Sequence, residues 1–444
     1  MSPNLRELPG NVCYPVAGNH VRPLRFTILV TPIIVAAGLL GAASADAADT
    51  RWSITGPQHP GEPDRPVWSM AAFPAHPNVL IEATQERGVM RSTDGGSSWT
   101  TVADAGGSAW VVRVDADHPG VAYAGTQADG IFKSLDEGKT WTAQNQGLDT
   151  LDVRAIDSSG STILLGTSAG LYYSNDAAHS WKSLGASDLD IAAVALLPKA
   201  NGLTMFAGAD NGTAPSYLLR SEDLTGAWTP VSGGFPGGVT VAAIATGLAP
   251  AGGQAPVLAG TAQGAYRSDD RGATWILVNG LPATDFNAVQ FNPANSDQIY
   301  VASDGDAGSG GVFRSLDRGA TWSPLGAGLP DHPRVTALAL QPLSPVQVMA
   351  ANWNPTSATA GVYRITDPGA AVTGATAAPS ASATVRASPT PRPSTVSEPG
   401  GRRSTAGQDW EKLGIAVIVL LLIAGVVSLR RWRIRREDQR TYLR

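Results

Sequence analysis

The chain has 444 residues, of which 50 are glycine, 32 are proline and 16% are charged. These proportions are typical of many short strands joined by turns and argue against long, solvated helices. The net charge of −5 argues against a nucleic-acid partner, and a single cysteine, Cys13, excludes an internal disulfide.

The N-terminal segment is predicted to be an export signal. Residues 26–45 form an apolar run that follows two arginines and ends in small residues, which is the order of a secretory signal. We therefore expect a signal peptide within residues 1–47. An uncleaved signal anchor is the alternative, because the segment before the run is long and Pro32 interrupts it. Either form exports the residues that follow.

The C-terminal segment is predicted to cross a membrane once. Residues 413–429 contain no charge and are long enough for a transmembrane helix. Arginines cluster in the tail at residues 430–444, and such clusters stay in the cytoplasm. Residues 368–408 are rich in Ala, Ser, Thr and Pro, a composition typical of an unfolded stalk. We expect a cell-membrane protein with its body outside.

One motif, S-x-D-x-G-x-x-W, recurs six times, with its tryptophans 40 to 47 residues apart. The serine and aspartate can accept hydrogen bonds from turn amides, the glycine tolerates a positive φ, and the tryptophan buries a large ring. Ala178 and Thr225 replace the glycine in the third and fourth copies. The predicted structural residues are Ser92, Asp94, Gly96 and Trp99; Ser134, Asp136, Gly138 and Trp141; Ser174, Asp176 and Trp181; Ser221, Asp223 and Trp228; Ser268, Asp270, Gly272 and Trp275; and Ser315, Asp317, Gly319 and Trp322.

The repeat predicts an all-β fold, a single seven-bladed β-propeller over residues 51–367. Each repeat contains four apolar strands with the motif in the last hairpin turn, and four strands per 40 to 47 residues make one propeller blade. Residues 334–367 supply only three strands of a seventh blade. We expect residues 51–57 to provide the fourth by pairing with the strand around Val362, closing the ring.

These motifs resemble the Asp-box (BNR) repeat propellers, most closely in the phrase YAGTQADGIFKSLDEGKTW at residues 123–141. Such repeats occur in sialidases, xyloglucan-active glycoside hydrolases, sortilin-type receptors and photosystem II assembly factors. The short, regular blades are most similar to the assembly-factor group, whose members bind proteins without catalysis. The resemblance implies the fold and leaves the function open.

Candidate catalytic residues are few. The motif aspartates are required by turn geometry in every blade and are not expected to form one site. Asp152, Asp190 and Asp285 stand just before the first strands of their blades, where two of them could act as a glycosidase pair across the central channel. The alternative is that they make hydrogen bonds at strand starts. No metal or cofactor is expected, although the turn DGDAGSG after Ser303 could hold a weak calcium ion.

A ligand face is predicted opposite the motif hairpins. The loops at residues 209–216, 303–311 and 352–361 are expanded, and insertions on one face of a repeat array often mark a binding surface. Trp353 is expected to be exposed on such a loop. The ligand-face candidates are Trp353, Asn354, Asp210, Asn211, Asp304 and Asp306. The sequence favours a non-catalytic scaffold that binds a protein or a glycan, with a cell-surface glycoside hydrolase as the alternative.

Overall fold

A computed structural model describes residues 51–369, apart from residues 59–60, 103–104, 211–216 and 304–309. It contains seven four-stranded antiparallel sheets. In each sheet the strands follow one another in chain order from the inside outward, except in the last, whose outer strand comes from the N-terminus. The first strands of neighbouring sheets contact one another around a ring. The described part of the chain is therefore a seven-bladed propeller, as the repeat predicted.

The strands of the blades have the following bounds. The inner strands are β2 (Val67–Phe73), β6 (Ala109–Val114), β10 (Val153–Ser159), β14 (Ile191–Lys199), β18 (Val241–Thr246), β22 (Phe286–Asn292) and β26 (Val335–Gln341). The second strands are β3 (His76–Thr84), β7 (Ala122–Thr126), β11 (Thr162–Thr167), β15 (Gly202–Ala209), β19 (Val257–Thr261), β23 (Asn295–Ser303) and β27 (Val346–Asn354). The third strands are β4 (Gly88–Ser92), β8 (Ile131–Ser134), β12 (Gly170–Ser174), β16 (Leu218–Ser221), β20 (Gly264–Ser268), β24 (Gly311–Ser315) and β28 (Thr359–Asp367). The outer strands are β5 (Thr100–Thr101), β9 (Thr142–Ala143), β13 (Lys182–Gly185), β17 (Thr229–Pro230), β21 (Ile276–Leu277), β25 (Ser323–Pro324) and β1 (Ser53–Ile54).

The ring closes through the N-terminal strand. Strand β1 pairs antiparallel with β28, and the amide of Thr55 donates to the carbonyl of Val362 at 2.8 Å. Trp52 is 3% exposed, and its indole N–H donates to the carbonyl of Leu325 in the sixth blade at 2.5 Å. The N-terminus therefore completes blade seven and also anchors it to blade six, which confirms the predicted closure.

The motif turns all lie on one face, which we call the motif face. In the first copy, the hydroxyl of Ser92 donates to Asp94 at 2.8 Å and accepts from the amide of Gly96 at 2.9 Å. The other oxygen of Asp94 accepts from the Ser98 hydroxyl at 2.6 Å. The second, third, fifth and sixth copies repeat this network. These side chains replace ladder hydrogen bonds where the strand turns.

The fourth copy departs from this geometry. Its Asp223 accepts from the amide and hydroxyl of Thr225, only two residues away, and the Ser221 hydroxyl donates to the backbone carbonyl of Asp223. The left-handed residue of this turn is Gly226, at φ 83°. The shifted glycine moves the turn, and Trp228 stays only partly buried.

At the motif glycine of the fifth copy, backbone conformation and packing both oppose a side chain. Gly272 has φ +81°, and a Cβ there would lie 2.3 Å from the ring of Phe206, which is fully buried. Gly280 has nearly the same φ, +84°, but an added Cβ would meet nothing within 4 Å. Alanine substitutions at Gly272 and Gly280 therefore separate the free-energy cost of a left-handed backbone from the cost of overpacking.

We expect Gly280→Ala to lower the free energy of unfolding by about 1 kcal/mol, through backbone strain alone. Gly272→Ala should cost about 2 kcal/mol more, because the methyl group also displaces Phe206 in a close-packed core. Urea unfolding of residues 51–369 measures both values. Equal losses would show that the turn, rather than the packing beneath it, requires the glycine.

Candidate functional site

The face opposite the motif hairpins, here the loop face, carries the links between blades and the loops between second and third strands. Each inner strand begins on this face and has a β-bulge at its second residue. The residue before the bulge is buried in every blade, whereas the bulged residue is partly exposed. A bulge re-aims one side chain out of the ladder. The seven bulged residues, which we call the mouth, are Trp68, Trp110, Arg154, Ala192, Ala242, Asn287 and Thr336.

Three consecutive blades place large side chains in contact at the mouth. The rings of Trp68 and Trp110 have centroids 6.0 Å apart and planes 50° apart. The guanidinium carbon of Arg154 lies 5.8 Å from the centroid of the Trp110 ring, within the range of a cation–π contact. The next two blades contribute only Ala192 and Ala242. The mouth therefore carries aromatic and cationic groups in blades one to three and small side chains in blades four and five.

Two aspartates hold Arg154 in place. Its Nη2 pairs with Oδ2 of Asp152 at 3.0 Å, and its Nη1 pairs with Oδ2 of Asp190. The indole N–H of Trp110 donates to Oδ1 of Asp152 at 2.9 Å. The side chains of Asp152, Arg154 and Asp190 are between 16% and 29% exposed. Together with Trp68, they form a connected group that we call the mouth cluster: Trp68, Trp110, Asp152, Arg154 and Asp190.

Electrostatics in the mouth cluster depend on these ion pairs. Burial acts to lower the pKa of Arg154, but the hydrogen bonds and charges of Asp152 and Asp190 outweigh it and raise that pKa. Burial raises the pKa of Asp190, and the nearby charges of Asp210 and Asp152 add to this, while Arg154 opposes it. The guanidinium thus stays charged, and Asp190 is the carboxylate of the cluster that takes up a proton more readily than usual.

The catalytic candidates from the sequence are only partly brought together. Asp152 and Asp190 meet at Arg154, as just described. Asp285 precedes β22 in the sixth blade, and blade five separates it from Asp190. The structure therefore offers one pair of aspartates at the mouth, joined by a guanidinium.

The motif aspartates do not approach the mouth. Hydrogen bonds from Thr321 and Ser315 lower the pKa of Asp317 to about 2. A carboxylate of this kind remains an ionised acceptor and cannot serve as a general acid near neutral pH. Its place in a turn on the motif face supports the structural role predicted for the set.

The prediction that Trp353 lies on an exposed loop is wrong. Trp353 pairs with Ala360 inside the hairpin of β27 and β28, and it is partly buried. The predicted loop at residues 352–361 shrinks to a turn at residues 355–358, because both strands of this blade run to nine residues. Asn354 accepts the amides that stabilise this turn, at 2.9 and 3.2 Å.

Of the four remaining ligand-face candidates, one lies within the described residues. Asp210 is exposed on the loop face, and its amide donates to the carbonyl of Asp190 at 2.9 Å. Asn211, Asp304 and Asp306 lie outside the described residues.

Within the described ranges, no group of three or more His, Cys, Asp or Glu side chains is arranged to hold a metal ion. In the same ranges no helix is long and apolar enough to cross a membrane.

Trp68, Trp110 and Arg154 were not among the site residues predicted from the sequence. A signal for them was present, because all three occupy the same position of consecutive repeats, one residue after a buried apolar residue (PVWSM, LDVRAI). In the inner strands of the first two blades, two tryptophans outside the motif register thus occupy equivalent sites.

Comparison with known proteins supports the fold. No protein-family model and no curated protein matches the chain. The GH74 xyloglucanase from Xanthomonas campestris is 17% identical, with a TM-score of 0.53 over 70% of this chain and 55% of the enzyme. The present chain thus spans about half of that enzyme's length.

Two structures of YCF48 are also similar to this chain in fold. YCF48 bound to D1 peptide is 15% identical, with a TM-score of 0.51 over 71% of this chain and 97% of that protein. YCF48 from Cyanidioschyzon merolae is 16% identical, with a TM-score of 0.50 over 72% and 99%. At these identities the similarity establishes the propeller architecture, which both an enzyme and a peptide-binding protein share.

Proposed function

We propose that this protein is a non-catalytic binding module of the Asp-box repeat type, held on the outside of a cell. The signal within residues 1–47 exports the chain, the stalk at residues 368–408 raises the propeller, and residues 413–429 anchor it with a cytoplasmic tail at residues 430–444. Charge and hydropathy in the sequence support this topology. Protease added to intact cells should digest the propeller and spare an epitope placed after Arg444.

The mouth cluster is the single observation that supports binding best. Trp68 and Trp110 are partly exposed although each is large and apolar, and they sit on inner strands that the whole ring holds rigid. Exposed tryptophans on a rigid scaffold are the usual anchors of a recognition surface. A solved structure of YCF48, a similar propeller, has D1 peptide bound, which agrees with a protein ligand here.

A cell-surface glycoside hydrolase, sialidase-like or xyloglucanase-like, is the second candidate. Asp152 and Asp190 contact different nitrogens of one guanidinium, and burial raises the pKa of Asp190, as a general acid requires. Against this, Arg154 pairs with both carboxylates, and its charge opposes the rise in the pKa of Asp190. The ion pairs therefore favour binding over hydrolysis.

A parallel assay of turnover and binding tests this proposal. The purified full chain in detergent is offered fluorogenic sialosides, β-glucosides and plant polysaccharides, and also peptide and glycan arrays. We expect no turnover, and binding that Trp110→Ala weakens at least about tenfold, as for a central aromatic anchor. Turnover that Asp190→Asn abolishes, with Asp269→Asn on the motif face unaffected, would make the protein an enzyme.

A further inference from the structure

The loop face has a pronounced charge asymmetry. Six aspartates lie on the loops and strand starts of blades two to four, and Arg154 is the one cation described there. In blade one, by contrast, two arginines pair with acids, since Arg65 lies 3.2 Å from Glu86 and Arg87 lies 2.9 Å from Glu62. We call the acidic region the acidic sector: Asp129, Asp149, Asp152, Asp188, Asp190 and Asp210.

The acidic sector adjoins the aromatic side of the mouth. Asp152 belongs to both, since it accepts from the Trp110 indole and pairs with Arg154. Arg154 over the Trp110 ring shows that this indole face already accommodates a guanidinium. Asp149 and Asp188 are exposed to solvent on the neighbouring links between blades. One oxygen of Asp149 accepts from the Tyr172 hydroxyl at 3.2 Å.

We infer that the mouth binds a basic peptide segment, with lysine or arginine side chains against the Trp68–Trp110 pair and the acidic sector. This inference rests on the proposed binding function. Cations gain from both features at once, because indole faces and carboxylates attract positive charge. A neutral glycan would use the tryptophans but gain nothing from the net negative charge, and an anionic ligand would be repelled. A basic side chain near Asp190 and Asp210 would also relieve the repulsion between their charges.

A peptide selection tests this inference on the full chain in detergent. Random heptapeptides displayed on phage are selected on the immobilised protein at 50 mM NaCl. We expect enrichment of lysine and arginine, and a Kd for a selected peptide that rises about tenfold between 50 and 300 mM NaCl, because screening weakens exposed charge pairs. Asp149→Asn combined with Asp188→Asn should raise that Kd about fivefold. Asp269→Asn, an exposed aspartate on the motif face, should leave it unchanged.

A tryptophan variant with a matched control tests the contribution of the Trp68–Trp110 pair. Trp68→Ala should weaken the same peptide at least about tenfold, whereas Trp353→Ala, outside the mouth cluster, should not. If Trp68→Ala fails to fold, the double aspartate variant decides alone, because both of its sites are exposed.

Four results would overturn the inference. Selected peptides without basic residues, or binding that salt does not weaken, would remove the charge argument. Glycan-array binding that depends on Trp68, with no peptide bound, would refute the inference while leaving the proposed binding function intact. Absence of any peptide or glycan binding that depends on Trp68 would refute both.

Discussion

Deleting residues 51–57 from the propeller should lower its melting temperature by about 10 °C or more. The deletion removes the outer strand of blade seven and the side chain of Trp52, which is 3% exposed in a core cluster shared by blades six and seven. Removal of a buried tryptophan alone costs about 3–5 kcal/mol, and a change of 1 kcal/mol shifts the midpoint of a domain this large by about 2–4 °C. Differential scanning calorimetry of residues 51–369 and 58–369 measures the shift.

Two point variants show which part of the N-terminal strand matters. Trp52→Ala should reproduce most of the loss, because it removes both the buried ring and the hydrogen bond to Leu325. Ile54→Ala should have little effect, since Ile54 is 62% exposed. A deletion that leaves the melting curve unchanged would mean that the ring does not depend on its N-terminal closure.

Glu82→Gln should stabilise the propeller, and increasingly so as the pH rises. Glu82 is fully buried in blade one; Gln58 donates to its Oε1 at 3.0 Å, and Oε2 has no hydrogen-bond partner among the described residues. Burial raises the pKa of Glu82 from 4.5 to about 8, with Asp64 adding to the shift and Gln58 and Arg87 opposing it. At neutral pH the folded protein therefore holds a proton that the unfolded chain has lost.

The sign of the pH dependence follows from this difference. Between pH 4.5 and about 8, folding takes up one proton at Glu82, so the free energy of unfolding falls as the pH rises, by about 1.4 kcal/mol per unit from this group. Glutamine has no such proton to gain, and Glu82→Gln should be more stable than the native protein by about 3 kcal/mol at pH 7. Urea unfolding at pH 5, 6, 7 and 8 measures the difference, with the exposed Glu86→Gln as control. Parallel stability curves for Glu82→Gln and the native protein would contradict the assignment.

The blades could be predicted from the sequence because their signals are local. A motif turn is built within eight residues, as when Ser92 and Asp94 bond the amides and hydroxyl that follow them. Such turns recur at a constant interval, and only one blade lacks an outer strand, so the chain itself indicated closure by residues 51–57. The positions of Asp152 and Asp190 at strand starts also followed from the repeat.

The site depended on contacts that no local pattern contains. Trp68, Trp110 and Arg154 are more than 40 residues apart in sequence, and they touch only because ring closure brings equivalent bulges of neighbouring blades together. The partner of Asp190 and the place of Trp353 within a strand likewise depend on neighbouring strands, whose length and register are set by packing between blades. Turn chemistry and repeat period are thus properties of the sequence. The mouth is a property of the closed ring, because each blade contributes only one of the side chains that form the mouth.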